Sequence, residues 1–199
     1  MKRLSENNIK ASGRLLQKAS LLTSRGQPFL GKARLQARAL TLNNLGCLMK
    51  KWGKPRESVK FLARALRIEA KVPGGADNPA GTHVNMSAAL STIGLHREAA
   101  MHAGHAIDLA SQAMMDQEAS QDRHQSAAGG LLAIACFNLG VEREHLGQLD
   151  AAIASYKDAR SAADEHLGPE SPVAKGIEVA LEKASAAAAT AASYSRKRA

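Results

Sequence analysis

The stretch ALTLNNLGCLMKKWGKPRESVKFLARAL, residues 39–66, keeps its smallest side chains at fixed places among bulky ones: Gly46, Gly53, Ser58 and Ala65. The same texture returns in AGTHVNMSAALSTIGLHREAAMHAGHAI, residues 80–107, and in AIACFNLGVEREHLGQLDAAIASYKDAR, residues 133–160. Aligning Gly53, Gly94 and Gly147 brings the rest into step. Asn44 meets Asn85 and Asn138, Gly46 meets Ser87 and Gly140, Ser58 meets Ala99 and Ala152, and Ala65 meets Ala106 and Ala159. The offsets are 41 and 53 residues. Self-similarity at such a period marks an array of stacked supersecondary units.

Each repeat reads as a helix, a glycine turn and a second helix. Leu42, Leu45 and Met49 share one face of the first helix, and Val59, Leu62 and Leu66 one face of the second. Helices pack at about 8–10 Å, and the close end of that range needs small residues at the contact. Gly46 is expected to face the second helix with Ser58 opposite, and Ala65 to admit the following helix. Glycine inside a helix costs about 1 kcal/mol against alanine, so its recurrence at the matching place implies a compensating close approach.

The order of small residue, turn glycine, small residue, small residue resembles the tetratricopeptide repeat, whose common length is about 34 residues. LTLNNLG (40–46) and HLGPESPVAK (166–175) resemble the longer repeats of the kinesin light chain type. The resemblance covers roughly residues 30–190. It implies an all-α fold, a right-handed α-solenoid of stacked antiparallel helix pairs with capping helices at both ends. The expected organisation is a basic capping helix in 1–29, an array over 30–192 and a basic tail over 193–199. Within the array, repeats are placed at about 39–72, 80–113 and 133–166, followed by a helix over 172–192. The 53-residue offset departs from the pattern, so 108–130 is expected to hold lengthened helices or an inserted turn.

Pro28, Pro55, Pro79, Pro169 and Pro172 fall in expected linkers, and Asn78-Pro79 and Ser171-Pro172 read as a helix cap followed by a first helical residue. Residues 4–25 suit a helix that packs through Leu15, Leu16, Ala19 and Leu22. Residues 172–192 suit one that packs through Val173, Ile177, Ala180, Leu181 and Ala184. The opening MKRLSENNIKASGRLLQK lacks the continuous apolar core of a secretory signal, and Cys47 and Cys136, far apart, suit packing in a reducing compartment. The expected location is cytoplasmic, with a cytoskeletal or ciliary site as the narrower form.

Charge divides the chain. Residues 1–71 carry 17 Lys and Arg against 3 acids, a balance of +14, and residues 72–199 carry 10 against 15, a balance of −5. Such asymmetry suggests an acidic partner for the first third. A merely solvated surface, an acidic protein segment such as a tubulin tail, nucleic acid, and head-to-tail self-association are the alternatives. The basic surface consists of Lys10, Arg14, Lys18, Arg25, Lys32, Arg34 and Arg38. Nucleic acid is not expected, because Phe29, Trp52 and Phe61 have no stacking-platform spacing. Membrane insertion is not expected either, since GGLLAIACF is too short to span a bilayer.

In tetratricopeptide arrays the first helices line a concave groove. The recurring Asn44, Asn85 and Asn138 each offer a donor and an acceptor. The resemblance to kinesin light chains implies that the row bonds the backbone of an extended peptide. The other reading is that each Asn bonds the neighbouring helix and sets the stacking angle. Lys50 and Lys51 end the first such helix, and Asn43 and Phe137 stand beside the row. The carboxylate clamp of chaperone-tail receptors is not matched, because Cys47 and Ile134 occupy two of its places. His96, His102 and His105 have no carboxylate or Cys at a fixed offset to complete a metal site. No phosphate loop, nucleophile elbow or paired-acid motif occurs. The expectation is a non-enzymatic interaction scaffold without cofactor or metal, binding protein partners with acidic segments. The alternative is a constitutive structural subunit of a large microtubule-associated or ciliary assembly.

Overall fold

The computed structural model describes residues 2–23, 31–73, 75–120 and 127–196, the side chains of 2–10, 118–120 and 192–196 excepted. It is all-helical, with eight helices and no strand among the described residues: α1 (Lys2–Leu22), α2 (Gly31–Lys51), α3 (Pro55–Glu69), α4 (Pro79–Thr92), α5 (His96–Ser120), α6 (Ala127–His145), α7 (Leu149–His166) and α8 (Pro172–Arg196). They form two compact units, Met1–Ile93 and Gly94–Ala199.

In the first unit α2 packs on α3, α3 on α4 and α1 on α2, and the alternate helices α2 and α4 also touch. In the second, α5 packs on α6, α6 on α7 and α7 on α8, with α6 touching α8. Each unit is thus a stack of helix hairpins. The hairpin turns have one construction. Gly53 and Gly147 take φ of 70° and 74°, which side-chain-bearing residues adopt only with strain. Lys54 N–H donates to Met49 O at 2.9 Å and Gly53 N–H to Lys50 O at 3.0 Å. Gln148 N–H to Arg143 O at 2.8 Å and Gly147 N–H to Glu144 O at 2.9 Å repeat the arrangement. Paired bonds of this kind satisfy the last carbonyls of a helix while reversing the chain.

The inner glycines are notches. A Cβ at Gly46 would lie 2.6 Å from Leu62 Cγ and 3.3 Å from Ser58 O. A Cβ at Gly140 would lie 2.5 Å from Tyr156 Cε1. The side chain that fills the first notch is therefore Leu62, Ser58 contributing backbone, and Tyr156 fills the corresponding place in the second unit. Gly129 makes a further notch, for the His166 ring. Ser58, Ala65, Ala99, Ala152 and Ala159 are all buried, as the spacing requires. Ala159 shares a core with Ala133, Cys136, Ala163, Ala174 and Ile177, and Phe137 and Val173 pack against it. Ala152, Tyr156 and Ala184 form a second cluster flanked by Ala180 and Leu181, which confirms the inward face expected for α8.

The 53-residue offset is taken up by length. α5 runs 25 residues where α3 has 15 and α7 has 18. Asn78 caps α4, accepting from Gly81 N–H at 2.9 Å, and Ser171 caps α8, accepting from Ala174 N–H at 3.1 Å. α8 continues to Arg196, past the residue 192 expected as its end.

The packing face of α1 differs in part from expectation. Gly13 is buried, and a Cβ there would sit 3.2 Å from the Trp52 ring and 3.3 Å from Leu48 Cδ2. Arg38 Nη1 donates to Ser20 O at 3.4 Å. Residue 13 lies by 48 and 52, and residue 20 by 38, so α1 runs antiparallel to α2. Of the four residues expected to pack, Leu16 and Ala19 are half-buried, while Leu15 and Leu22 point away, 70% and 59% exposed. A glycine face seats more closely against Trp52 than a leucine face could, which is why the apolar count misplaced the contact.

Candidate protein-binding surface

The first helices of the repeats carry the candidate residues. In the first unit α2 and α4 lie side by side, and Asn85 Nδ2 donates to Asn43 Oδ1 at 3.0 Å. Asn43 Nδ2 reaches Asn44 Oδ1 at 3.5 Å. Asn43 and Asn85 are half-buried and Asn44 is exposed. Asn85 therefore joins the two helices, Asn43 is its partner, and Asn44 presents its amide beside them. Asn43, one place before the recurring Asn, was legible only as a neighbour of the row. Its structural importance comes from the pairing across helices.

Lys50 and Lys51 are exposed at the end of α2. Cys47, one turn earlier, has its thiol pKa raised by burial, against the opposing pull of the two lysines. Cys136 is buried and its thiol is pushed up to about 11, by burial first and Asp158 second. Neither environment favours a thiolate.

Asn138 and Phe137 lie on α6 in the second unit, both half-buried. The Phe137 ring packs against Tyr156 with centroids 5.7 Å apart, in the seam of α6, α7 and α8. Of the basic surface, Arg14, Lys18 and Lys32 are exposed, while Arg34 and Arg38 are half-buried. Arg25 and the Lys10 side chain lie outside the described residues.

One polar group was missed in the sequence. Glu142 of α6 is fully buried, and His96 Nδ1 lies 2.7 Å from its Oε2. The His96 ring stacks on His145 at 4.1 Å between centroids. A buried carboxylate demands a charged or hydrogen-bonding partner, and His96 supplies it from the first turn of α5. His102 and His105 meet edge to face at 6.4 Å. The pKa of His102 is lowered by burial first and by His105 second. Among the described residues no group of three or more His, Cys, Asp or Glu is placed to hold a metal ion, and no helix is long and apolar enough to cross a membrane.

Comparison with curated proteins finds no match. Among solved structures, the crystal structure of BtubC (BKLC) from P. vanneervenii is similar, with a TM-score of 0.63 at 17% identity. The match covers 86% of this chain and 62% of that one, so the chain spans less than two thirds of that structure. At this identity the likeness is one of fold. A tetratricopeptide repeat family model matches residues 133–166, which makes the α6–α7 hairpin, with its Gly140 notch and Gly147 turn, a tetratricopeptide repeat.

Proposed function

We propose that the protein is a non-enzymatic interaction scaffold, in which residues 39–72 and 80–113 are repeats of the same kind as 133–166, of the kinesin light chain type. The first helices of the repeats receive an extended acidic segment of a protein partner, and the basic face of the first third adds a charged contact. The observation that carries the reading is the Asn85–Asn43 bond between α4 and α2. It holds two first helices in register and leaves the Asn44 amide exposed beside them, with Lys50 and Lys51 one to two turns further on. An exposed amide bonds a peptide backbone irrespective of its side chains, and the two lysines select acidic residues through complementary charge.

The test is a titration of a fluorescein-labelled short peptide rich in Asp and Glu, followed by anisotropy. Asn44→Ala is expected to weaken binding by about 2- to 10-fold, the worth of one hydrogen bond. Reversing both Lys50 and Lys51 to Glu is expected to weaken it by about tenfold or more, with the loss shrinking as salt rises. Asn85→Ala is the poorer probe, since it also removes the link between α2 and α4. Binding that ignores both Asn44→Ala and the lysine reversal would refute the assignment.

A further inference from the structure

The basic face of α1 and the acidic face of α8 are built to the same spacing with opposite charge. On α1, Arg14, Leu15, Lys18 and Leu22 are all exposed, opposite the buried Gly13. On α8, Glu178, Val179, Glu182 and Ala186 are all exposed, opposite the buried Ile177 and Ala184. Both sets fall at i, i+1, i+4 and i+8, which places each on one side of a helix. Each has a cationic or anionic pair one turn apart and an apolar residue beside it.

Val179 gives the α8 face a second peculiarity. The caps Asn78-Pro79 and Ser171-Pro172 align α4 with α8 at an offset of 93 residues. Val179 then takes the place of Leu45 and Met86 in the other first helices. Those two are 5% and 4% exposed, whereas Val179 is 50% exposed. A position that is core in two first helices is open in this one. The charge of the two units runs the same way: Met1–Ile93 holds 17 Lys and Arg against 4 acids, and Gly94–Ala199 holds 10 against 14.

We infer that α1 of one copy docks on α8 of a second copy, antiparallel, with Arg14 and Lys18 against Glu182 and Glu178 and with Leu15 over Val179. This rests on the basic-face half of the proposed function and names its acidic partner as another copy of the chain. The groove half is independent of it. Glu178 already pairs with Arg160 at 2.9 Å, so Glu182 carries most of the new attraction. Lys175, on the same side of α8, is held by Glu170 at 2.8 Å. The contact is heterologous, each copy offering a different surface. One helix on one helix buries less than a stable interface requires, so the association is weak and salt-dependent.

Sedimentation velocity of the full chain over a range of concentration tests the inference. The wild type is expected to sediment faster as concentration rises in low salt, and to return to monomer when salt is added. Arg14→Glu alone and Glu182→Lys alone should each raise the concentration needed for association by about tenfold or more. An equimolar mixture of these two variants should recover association, because both contacts between unlike variants then pair opposite charges; the two changes in one chain should recover it too. Circular dichroism melts of the variants, both altered at exposed sites, should match wild type. The acidic-peptide titration should also be unchanged in Glu182→Lys, which lies outside the basic face, so loss of assembly with retained peptide binding in that variant separates the two readings. Monomer at every concentration, association indifferent to either reversal, or a mixture that stays monomeric would each overturn the proposal. So would a monomeric wild type whose α1 binds phosphatidylserine vesicles in a manner lost on Arg14→Glu.

Discussion

The two units use the same glycine notch and fill it differently. In the first, Leu62 enters the space left by Gly46, and the polar atoms near the seams are incompletely served. Ser58 Oγ, Ser87 Oγ and one oxygen of Glu69 are buried without a hydrogen-bond partner among the described residues. In the second, Tyr156 enters the space left by Gly140 and its hydroxyl donates to Glu144 Oε2. Arg143 Nη1 donates to Ser155 Oγ at 2.6 Å and to Ala151 O at 3.1 Å, and Glu142 has His96. A larger knob with satisfied polar groups makes the second unit the firmer one. Unpaired buried polar atoms and an excess of positive charge make the first more labile. Adaptable surfaces belong to the less stable parts of proteins, and the exposed Asn44 and Lys50 are in the first unit.

The largest effects should come from emptying the notches. Tyr156→Ala is expected to cost about 3–5 kcal/mol and Leu62→Ala about 2–5 kcal/mol. The sole tryptophan, Trp52, sits over Gly13 in the first unit, so its fluorescence reports that unit while circular dichroism reports both. Urea melts of Leu62→Ala should move the fluorescence transition. Melts of Tyr156→Ala should lower the circular dichroism transition by more than the fluorescence one. An equal shift of both signals in both variants would mean that the units unfold as one, and the contrast between them would lose its thermodynamic content.

Filling the notches should cost less. Gly46→Ala and Gly140→Ala each put a Cβ under 3 Å from a neighbouring side chain, and overpacking of this kind costs about 1–3 kcal/mol. Gly176 of α8 is the control. It is exposed, with no atom within 4 Å of its would-be Cβ. Gly176→Ala should therefore stabilise by up to about 1 kcal/mol, the helix preference of alanine over glycine. Thermal melts that moved all three variants in one direction would show that position in the seam is irrelevant. Ser58→Ala should be neutral or stabilising by up to about 1 kcal/mol, because it removes a buried hydroxyl without a partner. Ala99 and Ala152 already occupy the matching places. Ser155→Ala, which breaks a bond to Arg143, should instead destabilise by about 1 kcal/mol.

Most of the fold was legible because small residues have few reasons to recur in helices. Gly46, Gly140, Ala99 and Ala152 gave the helix pairs and their contact points. Gly53 and Gly147 gave the turns, and the Asn78-Pro79 and Ser171-Pro172 pairs gave two helix starts. What the pattern could not supply was which large residue fills a notch, since Leu62 and Tyr156 stand at matching places and share only bulk. The face of α1 was misjudged in part for the converse reason: counting leucines favours Leu15 and Leu22 beside the half-buried Leu16 and Ala19, whereas the close contact is made by Gly13 under Trp52. The candidate surface was half legible. Asn44, Asn85 and Asn138 announced themselves by recurrence, but the Asn85–Asn43 bond lies between residues 42 apart and off the aligned row. The Glu142–His96 contact gave no signal, because a hydrogen-bonded pair between two helices has no periodicity.

The smallest effect in the comparison is one of pH. Glu69 ends α3 and accepts from Thr82 Oγ1 of α4 at 2.7 Å. Burial raises its pKa above the ordinary 4.5, the Thr82 bond pulling weakly the other way. In the unfolded chain the carboxyl loses its proton near the ordinary value, while in the folded chain it holds it to higher pH. Over that window the folded state binds more protons than the unfolded one, so stability falls as pH rises through it. Glu69→Gln keeps an acceptor for Thr82 and removes the ionisation. The variant should match wild type below pH 4.5 and exceed it once pH has risen past the raised folded value. Chemical melts of the two proteins across that range would show a gap that opens upward from the ordinary glutamate value. A gap of constant size would mean that the buried oxygen of Glu69 is not what weakens the junction of α3 and α4. The buried carboxylate of the second unit, Glu142, faces an imidazole and not a hydroxyl. There the same substitution should lose stability at neutral pH, because it breaks the pairing with His96 in a fully buried site.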